Sequence, residues 1–189
     1  LGTDKQPLLR SLIRGCLKND RKSQRDLYQH FYAYGLSICF RYSDDREEAV
    51  ELLNEAFMKI FLNLKKFDLT KPFTPWLRKI LINTCINNFK KKKIAFTEEL
   101  EELKSHQGSE DILAGISYQE ILGFIRKLSP AYRAVFNLYV IEGYKHEEIS
   151  KMLNISVGTS KSNLAKAKNN MQIILRDYFQ EDYERSKQG

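Results

Sequence analysis

Glycine and proline are scarce in this chain, nine and four among 189 residues. Its apolar residues recur at intervals of three and four, not two, which excludes a β-rich fold and leaves an all-α class with strands absent or trivial. Cysteine is also sparse. Cys16, Cys39 and Cys85 are odd in number, far apart and each embedded in a helical apolar pattern, which argues against a disulfide framework or a zinc site and leaves reduced core thiols. No run approaches the roughly 20 uninterrupted apolar residues of a membrane span, and the N-terminus lacks a secretory h-region. The expected location is the cytoplasm, without membrane insertion. Neither G-x-x-x-x-G-K-[ST] nor G-x-G-x-x-G occurs, so no phosphate cradle for ATP-driven work is expected. His30, His106 and His146 are scattered, and His146-Glu-Glu-Ile-Ser150 lacks the second histidine of a zinc-protease helix. His146 therefore reads as a surface residue in a first helical turn. No serine or cysteine has a nucleophile's setting. The chain is expected not to be an enzyme and to carry no cofactor or metal.

What is present is amphipathic helix and positive charge. Hydrophobic residues make up 42% and charged residues 29%, and 31 basic against 24 acidic side chains give +7, a bias toward a polyanionic partner. Leu8, Leu9, Leu12, Ile13, Cys16 and Leu17 form one stripe, and Leu27, Phe31, Tyr34 and Ile38 a second. Ala49, Leu53, Ala56, Phe57, Ile60 and Leu64 form a third. A fourth helix is expected from about Trp76 to Lys92, preceded by an ordered loop in which Pro72 and Pro75 forbid helix continuation. These four helices make a domain over 8–93. Lys90 to Lys93 is wholly cationic, whereas Thr97 to Asp111 carries six acids against one lysine, so 94–116 reads as a flexible acidic linker. Helical periodicity resumes near Ser117 with Ile121, Leu122, Ile125 and Leu128, and Pro130 opens another helix. The second domain is placed at 117–180.

Three helix faces carry chemistry. Between Lys145 and Ala167 the pattern is a helix-turn-helix: an apolar stripe, a break at Asn154, where a left-handed residue is needed, and a second helix capped by Ser156. At 100° per residue Val157, Ser160, Leu164, Ala167, Met171 and Leu175 turn inward, while Thr159, Ser162, Asn163, Lys166 and Asn169 turn outward. The outer face has donors and no carboxylate, which suits base edges and phosphates of a major groove and equally describes a solvated hairpin. On the fourth helix, Trp76, Lys79, Asn83, Asn87 and Lys90 share one side and Leu77, Leu81, Cys85 and Phe89 the other. Aromatic, amide and lysine groups together suit unpaired nucleic acid, although Trp76 could equally be a core anchor. On the third helix, Glu48, Glu51, Glu55, Met58 and Leu62 lie opposite the core stripe. Such a surface repels DNA and fits a protein that brings basic groups around an apolar centre, unless Met58 and Leu62 pack on a neighbouring helix.

Over about residues 8–178 the chain resembles a bacterial sigma factor of the extracytoplasmic-function group of the sigma-70 family. Carrying the resemblance are Glu51-Leu-Leu-Asn-Glu-Ala-Phe-Met-Lys-Ile-Phe61, Phe73-Thr-Pro-Trp-Leu-Arg-Lys-Ile-Leu-Ile-Asn-Thr84 with the basic run after it, and Leu128-Ser-Pro130 through Ala167. The resemblance implies a dissociable subunit that directs core RNA polymerase to promoters. Glu48, Glu51, Leu52, Asn54, Glu55 and Met58 would bind the coiled coil of the largest-subunit clamp, and the flap of the second-largest subunit is a further implied partner. The loop from Asp68 to Pro75 would hold flipped bases of the minus-ten element, with Phe67, Trp76, Lys79, Asn83, Asn87, Lys90 and Lys91 on that DNA. Thr159, Lys161, Ser162, Asn163 and Lys166 would address the minus-thirty-five element. Lysine lacks arginine's bidentate fork, so phosphate contact suits Lys166. The linker would thread toward the polymerase cleft. An anti-sigma protein is the implied inhibitor, able to hold the factor near the inner membrane. Two competing classes remain from the residues alone: a free-standing helix-turn-helix regulator with a sensing or dimerising bundle, and an RNA-modifying enzyme, for which no cofactor site is found.

Overall fold

A computed structural model describes residues 5–95 and 117–186. Apart from short turns and loops these residues are helical, with no strand among them, as the three-and-four spacing of apolar side chains requires. The chain forms two compact units, Leu1–Asn88 and Phe89–Gly189. The acidic linker expected at 94–116 lies, from residue 96 onward, outside the described residues.

In the first unit, α1 (Lys5–Leu17), α2 (Arg21–Phe40), α3 (Arg46–Asn63) and the part of α4 (Phe73–Ala95) up to Asn88 bring their apolar stripes together. Ile13, Leu27, Ile38, Leu53, Phe57, Ile60, Leu77 and Leu81 are sealed from solvent, and burial of such side chains contributes about 1.5–3 kcal/mol each. The α1–α2 turn needs a left-handed residue at Asn19 (φ 59°). Asp20 then caps α2, accepting from the Ser23 backbone N–H at 2.8 Å and its hydroxyl at 2.6 Å. Two of the expected stripes shift. Leu8 is exposed, and on α2 Gly35 faces inward while Tyr34 is half-buried. A Cβ at Gly35 would stand 2.5 Å from Leu53 Cδ1, so the missing side chain is what lets α2 and α3 approach. Helix α4 begins at Phe73, three residues earlier than the proline rule suggests. Pro75 falls in the first turn, where its lost N–H would have had no intrahelical partner.

The second unit contains α5 (Tyr118–Lys127), α6 (Pro130–Phe136), a π-helical segment (Asn137–Ile141), α7 (His146–Leu153) and α8 (Val157–Ser186). Ser117 and Glu120 form a capping box on α5. Leu122, Phe124, Ile125 and Leu128 are buried, whereas Ile121 is exposed. Phe124 takes the core position that Ile121 was expected to fill. Beyond the helix-turn-helix, α8 continues past residue 180, and the Tyr178 hydroxyl donates to Glu120. That bond and Ser117 hold the Glu120 carboxyl below the usual carboxylate range. All three cysteines are buried free thiols.

Candidate functional site

Helix α3 is capped by Asp45, which accepts from the Glu48 N–H at 2.8 Å. The stripe that follows is wider than the sequence pattern suggested. Leu52 lies three residues after Ala49 and four before Ala56, and it is only 3% exposed. The expectation that Leu52 meets a partner is thereby corrected, because its side chain is core. Glu48 is half-buried, its carboxylate accepting from Asn88 Nδ2 at 2.7 Å and from the Asp44 N–H at 2.9 Å. It acts inward as a strut between α3 and α4 and caps the preceding turn. Opposite the core, Glu51, Asn54, Met58 and Leu62 are exposed. Met58 and Leu62 reach 67% and 77% exposure, so no neighbouring helix among the described residues covers them. Asn54 Oδ1 accepts from the Tyr28 hydroxyl at 2.8 Å. Glu55 is half-buried and pairs with Lys59 Nζ at 2.6 Å, and Lys59 also reaches Thr84 Oγ1 of α4 at 3.3 Å.

The α3–α4 connection builds a second surface. A 3-10 turn, Leu64–Lys66, leads into a loop ordered by Asp68. Asp68 Oδ1 accepts from the Thr70 N–H at 3.0 Å and its hydroxyl at 2.7 Å, and the Lys71 N–H closes onto the Asp68 carbonyl at 3.0 Å. Those bonds hold the Asp68 carboxyl below its ordinary range. Phe67, Phe73 and Trp76 form a cluster with centroids 5.1–5.5 Å apart, joined to Phe31 through Phe73 at 5.5 Å. Trp76 is half-buried, one wall of this cluster rather than a sealed anchor. A cavity of about 370 Å³ opens between α1, α2 and the loop. Buried Ile13, Phe31 and Phe73 line it together with exposed Arg10, His30 and Lys71. The sequence reading missed Arg10 and His30, because only tertiary packing brings α1 and α2 beside the loop. Along α4, Lys79, Asn83, Asn87 and Lys91 are exposed and Lys90 is half-buried, while Leu77, Leu81, Ile82, Cys85 and Ile86 are buried. Phe89, expected on the covered side, is half-buried.

In the second unit, α7 ends at Asn154, whose φ of 52° and ψ of 54° are left-handed. Asparagine tolerates that region, and the chain then turns to Ser156, whose Oγ accepts from the Thr159 N–H at 2.9 Å. Thr159, Lys161, Ser162 and Lys166 are exposed, and Asn163 and Asn169 half-buried. Ser160, Leu164 and Ala167 are buried as the periodicity requires, with Val157, Met171 and Leu175 partly so. Thr159 shares its hydroxyl with Ser156 Oγ at 2.8 Å, so it supports the cap as well as facing outward. His146 departs from expectation. Instead of a surface residue it is half-buried, stacked on Tyr139 with centroids 4.5 Å apart, and its Nδ1 lies 2.9 Å from Ser160 Oγ.

Two family models match the chain: Sigma-70 region 2 over residues 27–94, and Sigma-70, region 4, over residues 117–171. Among curated proteins, the chain is 27% identical over 183 residues to the ECF RNA polymerase sigma factor SigW of Bacillus subtilis (strain 168), covering 90% of this chain and 98% of that protein. The ECF RNA polymerase sigma factor SigM of the same organism is 24% identical over 152 residues, 79% of this chain and 93% of the other. Among solved structures, the sigma factor RpoE of Bartonella quintana, in complex with the anti-sigma factor NepR, superposes with a TM-score of 0.50 at 19% identity. The match covers 80% of this chain and 98% of that one and speaks to a shared fold.

Proposed function

We propose how the surfaces of this chain, which belongs to the sigma-70 family of promoter-specific transcription initiation factors, divide the work of initiation. Core RNA polymerase is engaged by α3. Glu51, Asn54, Glu55 and Met58, with Leu62 beside them, meet the coiled coil of the largest-subunit clamp. What carries this reading is the exposure of Met58 and Leu62 in a line with Glu51 and Glu55. Large exposed apolar side chains that continue a row of acids favour a partner that buries them and supplies cations. The C-terminal unit meets the flap of the second-largest subunit.

Promoter DNA is read by the other two surfaces. The cavity beside the Asp68 loop receives an unpaired base of the minus-ten element, with Phe67 and Phe73 as aromatic walls and Trp76 packed against both. Asn83 and Asn87 offer amides to neighbouring bases, and Lys79, Lys90 and Lys91 lie along phosphates. Flipping a base costs a few kcal/mol, and stacking returns about 1–3 kcal/mol per base, so capture can open the duplex without ATP. The chain acts by binding and contributes no catalytic step of its own. In the major groove of the minus-thirty-five element, Lys161, Ser162, Asn163 and Thr159 face base edges and Lys166 a phosphate. By the family resemblance, the acidic segment within 94–116 would thread toward the polymerase cleft.

An anti-sigma protein that covers α3 would block polymerase directly; the related sigma factor RpoE is solved in complex with the anti-sigma factor NepR. Among the described residues no helix is long and apolar enough to cross a membrane. As a partner of core RNA polymerase the chain would act in the cytoplasm, with membrane association only through an anti-sigma partner. Run-off transcription on genomic fragments with core polymerase tests the reading: the chain should create specific starts that core alone does not make. A chain that binds duplex operators tightly but adds no start would be a free-standing regulator instead.

A further inference from the structure

His146 opens α7, and its ring is clasped from two sides. One face lies against Tyr139 of the π-helical segment, at 4.5 Å and an interplanar angle of 24°. Its Nδ1 meets Ser160 Oγ at 2.9 Å, and Ser160 is fully buried in the first turn of α8 between Thr159 and Lys161. Either partner can donate in this bond.

Burial of Ile149, Leu153, Leu164 and Ala167 holds the two helices together and sets their approximate orientation. A directional bond at the first turn of α8 adds a local, angle-sensitive restraint on its roll where the outward residues sit. With side chains reaching about 5–6 Å from a helix axis, a roll of about 10° moves their tips by about 1 Å, enough to misalign a hydrogen bond to a base edge. Phosphate contacts from lysines tolerate that displacement, because they are long-ranged and carry no sequence information.

We propose that His146 is a positioning residue for promoter specificity. Through Ser160 it sets the rotation at which Thr159, Lys161, Ser162 and Asn163 meet the upstream element, while Tyr139 holds the imidazole in place. The inference deepens the proposed reading of α8 and rests on it.

Two variants separate the bond from the stacking. His146→Phe keeps a ring on Tyr139 and loses the bond to Ser160. His146→Asn loses the ring and offers an amide near the position of Nδ1. Each full-length variant is assembled with core polymerase. Binding is measured to a promoter fragment identified by run-off transcription and to the same fragment with its upstream element scrambled, across a salt series. His146→Phe should lower the ratio of the two affinities by about tenfold, the worth of one good base contact. Affinity for the scrambled fragment and the salt slope should stay as in the parent, and His146→Asn should keep most of the ratio. The proposal is overturned if His146→Phe keeps the parental ratio, if both variants lose it equally, or if affinity for both fragments falls in step, which is the mark of a merely destabilised domain. A parent chain with no preference between the fragments would contradict the reading of α8 itself, and the inference would fall with it.

Discussion

Burial raises the Cys16 thiol to about 11, with the Asp20 carboxylate adding to the effect. In the unfolded chain the same thiol ionises near its ordinary value of 9.0. Below that value both states hold the proton, and the contribution of the buried thiol is fully present. As pH rises from about 9 to about 11 the unfolded chain loses its proton while the folded one keeps it, so stability falls through that window. Urea unfolding at about pH 8 and about pH 10.5 should show a larger drop for the parent than for Cys16→Ala, and parallel drops would contradict this account. Single residues also mark how legible the chain was. Asn154 and Ser156 could be read directly, because a left-handed break and an N-cap are local demands of the backbone. His146 could not, because its partners Tyr139 and Ser160 are brought to it by helix packing.

Adjacent positions on α3 separate packing from recognition. Leu52 lies in the core beside exposed Glu51, a placement the stripe through Leu53 concealed because a buried helix face can be wider than one ridge of side chains. Leu52→Ala should cost about 2–5 kcal/mol of folding free energy, measured by denaturant unfolding. A change within about 0.5 kcal/mol would put the side chain at the surface after all. The α2–α3 contact gives a complementary test. A methyl at Gly35 would press on Leu53, itself sealed in the core, so Gly35→Ala should destabilise by about 1–3 kcal/mol despite the better helix propensity of alanine. If it stabilises, α2 and α3 do not pack this closely. Other elements show where sequence rules stop. Pro75 marked the start of α4 within a few residues, but its tolerance in a first turn hid the true start at Phe73. The π-helical segment at Asn137–Ile141 carries no spacing signal that distinguishes it from an α-helical turn.

At the scale of the whole molecule, opposite surface chemistries occupy different helices. Acids and exposed apolar side chains gather on α3, while α4 and the first half of α8 present amides, hydroxyls and lysines, with no carboxylate between Val157 and Leu175. This sorting was legible from periodicity and charge, since exposed faces of amphipathic helices are set by local sequence. The cavity beside the Asp68 loop was not, because three separate elements enclose it. Two modest DNA contacts gain strength only when held at a fixed span, so the free chain should bind a promoter fragment far more weakly than the polymerase-bound chain does, by about 100-fold or more in a mobility-shift titration. Equal affinities would show that polymerase plays no part in DNA binding. The central claim, that one surface serves polymerase and the others DNA, is tested most directly by measuring core-polymerase retention and upstream promoter protection for two variants in parallel. Glu51→Arg combined with Glu55→Arg should lose polymerase and stay folded, whereas Lys166→Ala should keep polymerase and lose upstream protection; if both variants lose polymerase alike, the assigned division of surfaces is wrong.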